Sequence, residues 1–396
     1  MIKAVLFSLD GTLLRGGERA LAAEYTRLAG AFLDDLWGTT HSAALLAEAS
    51  RVLTLPRDAQ TTNDSLLAET LAAAADRDPQ AVSAALDAFW TACWSAPAGS
   101  AQPAAAASEA IALARNQGLA VVIAGNPLYP TAAARLRLAA AGLPSAARDY
   151  ALVAGSDTMH FAKPDPAYYA EIVARIGVEP DEAIVVSDSL ANDVRPAATA
   201  RLRTYHVGSG ARDLAVDDAG TLAGFARRIQ DSGWRDALPP RALNPEAVAP
   251  QLWGNVGALF GLLASVQPGH WEQHPDPAEW SILQIVCHLL ESEDQVQRPR
   301  LERILAADNP FLVNPPPPTG PHAPPCDSDG RQAASRFAAR RRETLALLSA
   351  LPAAAWNRPA RHSVFGLTTL LEMALFTAQH DRLHLSQLCQ TLGRCE

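Results

Sequence analysis

The chain has 396 residues, of which 48% are hydrophobic and 19% charged, and its formal net charge is −9. That length suits two or three domains with cores large enough to stand without disulfide staples. The acidic balance, with no long basic stripe, argues against a protein that grips a phosphate backbone, so nucleic acid is not an expected partner.

The first residues, MIKAVLFSLDG, carry one lysine and a short apolar run, too short for a secretory signal or a membrane span. Five cysteines, Cys93, Cys287, Cys326, Cys389 and Cys395, form no CxxC pair, which is the usage of a reduced, cytoplasmic protein. Lys3 to Phe7 predicts a strand that ends in SLDGTL, where Gly11 allows a tight turn. From about residue 18 to 106, ALAAEYTRLAGAFLDDLW, SLLAETLAAAA and QAVSAALDAFWTACW repeat apolar residues at three and four and predict one helical insertion. Helix and strand then alternate: ASEAIALARNQG is a helix, LAVVIAG a buried strand, TAAARLRLAAAG a helix and ALVAG a short strand. DPAYYAEIVARIG, AIVVSD, ANDVRPAATA and RTYHVG continue the pattern, and TLAGFARRIQDSGW predicts a final helix to about residue 235. This is the signature of a Rossmann-like, doubly wound parallel sheet.

RDALPPRALNPEAVAP is a proline-rich linker, and beyond it no strand pattern is evident. Four helical segments at about 247–266, 280–305, 330–351 and 366–391 predict an all-α bundle, with Ser281 and Gln284 as a capping box at the start of the second. A long proline-rich connection runs from Asn309 to Gly330. The expected division is a first domain over 1–235 (core 1–16 and 107–235, cap about 17–106), a linker over 236–245 and a bundle over 246–396.

The stretches AVLFSLDGTLL, LAVVIAGNPLYP, HFAKPDPAYY and AIVVSDSLANDVRPA, in this order, together resemble the haloacid dehalogenase-like (HAD) hydrolase superfamily, and the helical insertion matches that family's C1-type cap. The resemblance implies an aspartate nucleophile, a second aspartate as acid/base, a charge-screening lysine and late acidic residues that hold magnesium. Carried over, these roles fall on Ser8 at the nucleophile position, Asp10, Lys163, and Asp188 with Asp193. Serine is a poor replacement nucleophile and a poor magnesium ligand without a base beside it. The phosphate-binding Thr or Ser of the second motif is replaced by Gly125, followed by Asn126, which could still offer anion contacts. Structural readings stand beside these: Asp10 as a turn cap, Asp188 and Asp193 at a strand end and helix start, and Tyr168 and Tyr169 as packing residues.

Seven of the ten histidines fall in the last third of the chain. FTAQHDRLHLSQL places His380 and His384 one helical turn apart, and His288 lies on the apolar stripe of WSILQIVCHLLESE. Three inward histidines can bind a borderline divalent metal such as zinc or nickel. Residues about 245–392 resemble the DinB-like family, on EWSILQIVCHLLESED and FGLTTLLEMALFTAQHDRLHLSQL, which carries that family's metal triad onto the same three histidines. Glu291 is a candidate to orient His288, His362 and Arg361 could line the pocket mouth, and Cys287 is expected to be buried filler.

The DinB-like resemblance implies a metal-dependent transferase using a low-molecular-weight thiol, attached to a HAD-like domain that has lost its nucleophile. Two alternatives remain: a HAD-like phosphatase or hydrolase with an atypical nucleophile and a weakened magnesium site, and a non-catalytic metabolite-sensing or interaction protein. A small-molecule substrate or thiol is the expected partner, with no nucleic acid and no membrane, and homodimerisation is compatible with each reading.

Overall fold

The computed structural model describes residues 1–55, 57–95, 101–209, 213–276, 279–314 and 329–395. Most of the proline-rich connection, residues 315–328 with His322 and Cys326, lies outside the described residues. The chain forms two compact units, Met1–Tyr169 with Pro180–Arg241, and Ala170–Glu179 with Ala242–Glu396.

In the first unit, short runs of Val, Ile and Leu form a parallel sheet of β1 (Ala4–Phe7), β2 (Ala120–Ile123), β3 (Leu152–Val153), β4 (Ala183–Ser187), β5 (Arg203–Val207) and β6 (Asp218–Gly220). Their spatial order is β3-β2-β1-β4-β5-β6, and every pairing is parallel. Val5 and Phe7 of β1, Val121 and Ile123 of β2, and Ile184 and Val186 of β4 share one hydrophobic core with Ile111, Ala114, Phe225 and Ile229 of flanking helices. The alternate residues Ala4, Leu6, Val122 and Val185 are equally buried, so both faces of the sheet are covered, as a parallel sheet requires. Strand β6 was not expected from the sequence, since Asp-Ala-Gly has no apolar run and is held by backbone pairing to Tyr205–Val207. The expected final helix divides into Leu222–Arg228 and Ser232–Ala237, because Thr221 and Asp231 each supply a separate N-cap.

Register decides where chemistry can sit. Phe7 pairs with Ile123 on one side and Val186 on the other, so the residues that follow these strands meet at one edge of the sheet. Among its described residues the insertion after β1 forms the helices Glu18–Trp37, Ser42–Val52, Asn63–Ala75 and Pro79–Cys93, around an apolar cluster of its own that includes Tyr25, Phe89 and Trp94.

The second unit is predominantly helical. Its long helices are Val248–Leu263, Ile282–Ser292, Arg298–Ala306, Gly330–Ser349 and Leu370–Leu392, and Leu252, Ile304, Leu348, Met373 and Ala378 belong to one core. The Ser281–Gln284 capping box forms at the start of the second helix. A π-helical turn, Glu293–Gln297, joins that helix to the third and turns both of its end residues inward, where they are buried. The expectation of a purely helical unit needs one correction: β7 (Phe311–Leu312), β8 (Pro359–His362) and β9 (Gly366–Thr369) make a small sheet. These strands are two to four residues long, and β9 takes the first residues of the predicted last helix. That helix begins only after Thr369, whose side chain caps it with Glu372.

Cys287 is disulfide-bonded, where the sequence suggested a packed thiol, while Cys93, Cys389 and Cys395 are free. A disulfide depends on the approach of two Cβ atoms in space, which spacing along the chain does not reveal. Among the described residues no helix is long and apolar enough to cross a membrane.

Gly11 is required by geometry. Its φ is +80°, and a Cβ there would lie 2.3 Å from Asp188 Oδ2. Gly11→Ala is therefore expected to destabilise the first unit by about 1–3 kcal/mol. Urea unfolding followed by circular dichroism checks this, and an unshifted midpoint would contradict the reading.

Candidate functional site

The edge after β1, β2 and β4 gathers the residues that the first-domain motifs singled out. Ser8, directly beyond β1, is buried and donates to Asp193 Oδ2 at 3.4 Å while accepting from Lys163 Nζ at 3.1 Å. Lys163 Nζ lies 2.5 Å from Asp193 Oδ1, and both side chains are buried. Tyr169 also donates to Asp193 Oδ1, and Ser187 donates to Oδ2 at 2.8 Å. Burial, and then the Asp193 charge, hold the Tyr169 phenol protonated, its pKa far above the ordinary value. Tyr169 and Tyr168 therefore do more than pack: the Tyr168 hydroxyl donates to the Gly125 carbonyl at 2.6 Å.

The other motif residues have different partners. Asp10 is gripped by Arg137, which donates to both of its oxygens, Nη1 to Oδ2 at 3.1 Å, and each side chain is only 7% exposed. Asp188 accepts from Thr12 Oγ1 at 2.9 Å, and the same hydroxyl oxygen accepts from the Asp188 N–H at 3.0 Å. Asn126 donates to the Glu18 carboxylate, which also accepts from Asn192 Nδ2 at 3.3 Å. Glu18 opens the first cap helix, so a carboxylate from the insertion is hydrogen-bonded to the second-motif asparagine.

These contacts limit the chemistry. The linked groups comprise two cations, Arg137 and Lys163, and four carboxylates, Asp10, Asp188, Asp193 and Glu18. A phosphate ester entering here would meet a net negative charge. Ser8 has a carboxylate within reach, but both oxygens of Asp193 are already engaged by Lys163, Tyr169 and Ser187. The family's nucleophile position thus holds a buried serine in a hydrogen-bond network that is already satisfied.

In the second unit His288, His380 and His384 converge. One ligand nitrogen from each lies within 4.8 Å of the others. His288 Nε2 and His380 Nε2 are 3.4 Å apart, close to the ~3.3 Å that two nitrogens span on a tetrahedral zinc ion. His384 Nδ1 faces Gln387 Oε1 at 3.1 Å, which assigns the proton to Nδ1 and leaves Nε2 as the donor atom. Trp280 stacks on His384, with ring centroids 5.8 Å apart, and tilts over His288, closing one side of the cluster with an apolar wall. Burial, followed by the neighbouring histidines, lowers the His288 pKa to about 3, and burial with His380 lowers that of His384 to about 4. Both rings are neutral near pH 7, the state in which imidazole binds a metal.

A buried charge cluster stands next to these rings. Arg341, fully buried, donates from Nη1 to Asp381 Oδ2 at 2.5 Å and from Nη2 to Glu293 Oε2 at 2.8 Å. Asp381 Oδ1 is 3.8 Å from His380 Nδ1, a buried nitrogen that lacks any hydrogen-bond partner. Burial pushes the Asp381 carboxyl upward, and Arg341 beside it more than reverses this, leaving it lowered to about 2. One guanidinium between two carboxylates leaves a residual negative charge facing the imidazoles. That charge favours a cation among the three rings, so the donor set fits a divalent metal.

Sequence reasoning missed Arg137, Glu18, Asp381, Arg341 and Glu293. Arg137 and Arg341 each interrupt a buried stripe, Ala133–Ala134–Leu138 in one helix and Phe337–Ala338–Leu348 in the other, and an arginine on such a face signals a buried ion pair. His362, expected at a pocket mouth, is instead buried in β8, with Nδ1 accepting from the N–H groups of Val364 and Phe365.

The family described as haloacid dehalogenase-like hydrolase matches residues 2–201, and the DinB superfamily matches residues 255–388. Phosphoserine phosphatase of Thermus thermophilus is 35% identical over 102 residues, which cover 26% of this chain and 39% of that protein. The chain thus spans well under half the length of this curated relative. The HAD phosphatase of Thermococcus onnurineus is 22% identical, with a TM-score of 0.37 over 57% of this chain and 97% of its own. The L-2-haloacid dehalogenase of Xanthobacter autotrophicus, solved with chloropropionic acid covalently bound, is 17% identical, with a TM-score of 0.36 over 59% of this chain and 100% of its own. With the first match covering half of its length, the chain belongs to the haloacid dehalogenase-like hydrolase family, carries a serine where the nucleophilic aspartate is expected, and continues into a DinB-like domain with a histidine metal site.

Proposed function

We propose that the helical domain, residues 246–396, holds one divalent metal, zinc or nickel in character, and adds or transfers a low-molecular-weight thiol to a small acceptor. The observation that carries this reading is the convergence of three histidine nitrogens beside a buried cluster of residual negative charge. When bound, the metal would supply Lewis acidity that lowers the pKa of a thiol or water. The chain's own part is to present the nitrogens of His288, His380 and His384, to set the Asp381 carboxylate 3.8 Å behind His380 Nδ1, and to keep one side dry with Trp280. Arg341 and Glu293 fix Asp381 in turn. The thiol class rests on the DinB-like resemblance alone.

For the first domain we propose no hydrolytic turnover. Both oxygens of Asp193 are engaged by Lys163, Tyr169 and Ser187, so a magnesium ion there would have to break the Lys163 pair. These contacts support a non-catalytic role for the first domain, in sensing a metabolite or in an interaction.

Purified full-length protein is expected to carry about one divalent ion per chain, and the His380→Ala/His384→Ala double variant to lose it. Plasma emission analysis decides this, and metal retained by the double variant would sink the assignment. Asp381→Asn is expected to weaken metal binding by roughly 10–100-fold without removing a ligand. Competition against a chromophoric chelator measures the change, and an unaltered affinity would remove Asp381 from the site. The intact protein is expected to show no magnesium-dependent turnover on a panel of phosphate esters. Ser8→Asp alone should stay inactive, since Arg137 still occupies Asp10. Turnover by either form would restore the hydrolase reading.

A further inference from the structure

A second cavity lies on the same helical run as His288 and has no part in the metal site. Arg300, which lines it, lies twelve residues past His288, roughly 18 Å of helical rise. The cavity encloses about 330 Å³ between the Gln295–Arg303 stretch and the end of β7. Val296, Pro299, Leu312 and Val313 give it apolar walls, and Arg300, Arg303 and Asn314 are on its polar side. Among the described residues no carboxylate lines it.

Arg300 is 7% exposed, yet among the described residues it has no acidic partner of the kind that Arg341 and Arg137 have. Its hydrogen bond runs from Nη2 to Asn314 Oδ1 at 2.8 Å, and its Nε is buried without a partner. Asn314 is held in turn by its backbone N–H, which donates to Ser363 Oγ at 2.9 Å, so the guanidinium plane is fixed. Burial without compensation pushes the Arg300 pKa down. His362, the register partner of Leu312, adds a second orphan: its Nδ1 accepts two backbone N–H groups, so Nε2 carries the proton, and Nε2 is buried without a partner.

A buried arginine costs free energy unless an anion completes it. The geometry points to a binding site for a small organic carboxylate with an apolar body, held by the Arg300 guanidinium. A carboxylate oxygen can accept from Nη1, the guanidinium nitrogen that is neither bonded to Asn314 nor buried, and Val296, Pro299, Leu312 and Val313 suit a hydrocarbon or aromatic body better than a hydrated phosphate. This site is separate from the histidine cluster and does not depend on what the metal does.

The test uses the full-length protein and benzoate as probe, with isothermal titration calorimetry as readout. Saturable binding at a single site is expected, with neutral benzamide failing to bind. Arg300→Gln should weaken benzoate on the order of ten- to a hundredfold. Val296→Trp, which fills the cavity and leaves Arg300 intact, should do the same, and an unchanged circular dichroism spectrum and urea midpoint report that each variant is folded. No saturable heat at millimolar benzoate, or equal affinity in the folded Arg300→Gln or Val296→Trp protein, would overturn the proposal. Inorganic phosphate displacing benzoate at similar concentration would overturn the carboxylate class.

Discussion

A buried cation must be neutralised close by, and in each half of this chain such a pairing sets what the neighbouring site can do. In the first domain Lys163 is closed by Asp193, and Arg137 by Asp10. Each pair consumes the residue that family chemistry would need free, the carboxylate as base or ligand and the ammonium as a charge screen. In the helical domain Arg341 meets two carboxylates at once. The arithmetic there leaves negative charge over, and it is directed at His380.

This difference explains why two sites with similar numbers of polar groups support different readings. The first is satisfied internally: Ser8, Ser187 and Tyr169 all spend their protons on Asp193 or on groups attached to it. Their hydroxyl protons are thereby placed within the network. The second is unsatisfied in a directed way, since His380 Nδ1 has no hydrogen-bond partner and its nearest carboxylate is 3.8 Å off. Asp381 thus stands behind the His380 ring, where a carboxylate could orient an imidazole that would hold a metal.

Much of this was legible in the sequence because it depends on local pattern. Apolar runs gave β1 to β5, the stripe of Ile285 and Leu289 placed His288 inward, and the four-residue spacing placed His380 with His384. What stayed hidden depends on partners far apart in the chain. Arg341 and Glu293 are separated by 48 residues and Arg137 and Asp10 by 127. Spacing says that an arginine on a buried face needs a carboxylate without saying which one. The strands β6 to β9 were hidden for a related reason, since Asp218–Gly220, Pro359–His362 and Gly366–Thr369 carry no apolar run and are defined by the strand they pair with.

The degenerate first domain keeps its fold for reasons separate from catalysis. The sheet is held by the apolar side chains of residues such as Phe7, Val186 and Phe225, whereas the Ser8 hydroxyl bonds to Lys163 and Asp193, so an aspartate can become a serine at little cost to the core. Replacing the acidic residue also removes one charge from a site that already holds four carboxylates against two cations, which relieves repulsion around Asp193. Loss of the nucleophile and retention of Lys163 with Asp193 are then compatible: the pair remains because each member would otherwise be a lone buried charge. Persistence of family residues at such a site therefore reflects mutual neutralisation as much as function, whereas the three histidines of the helical domain have no such need of one another unless a cation joins them.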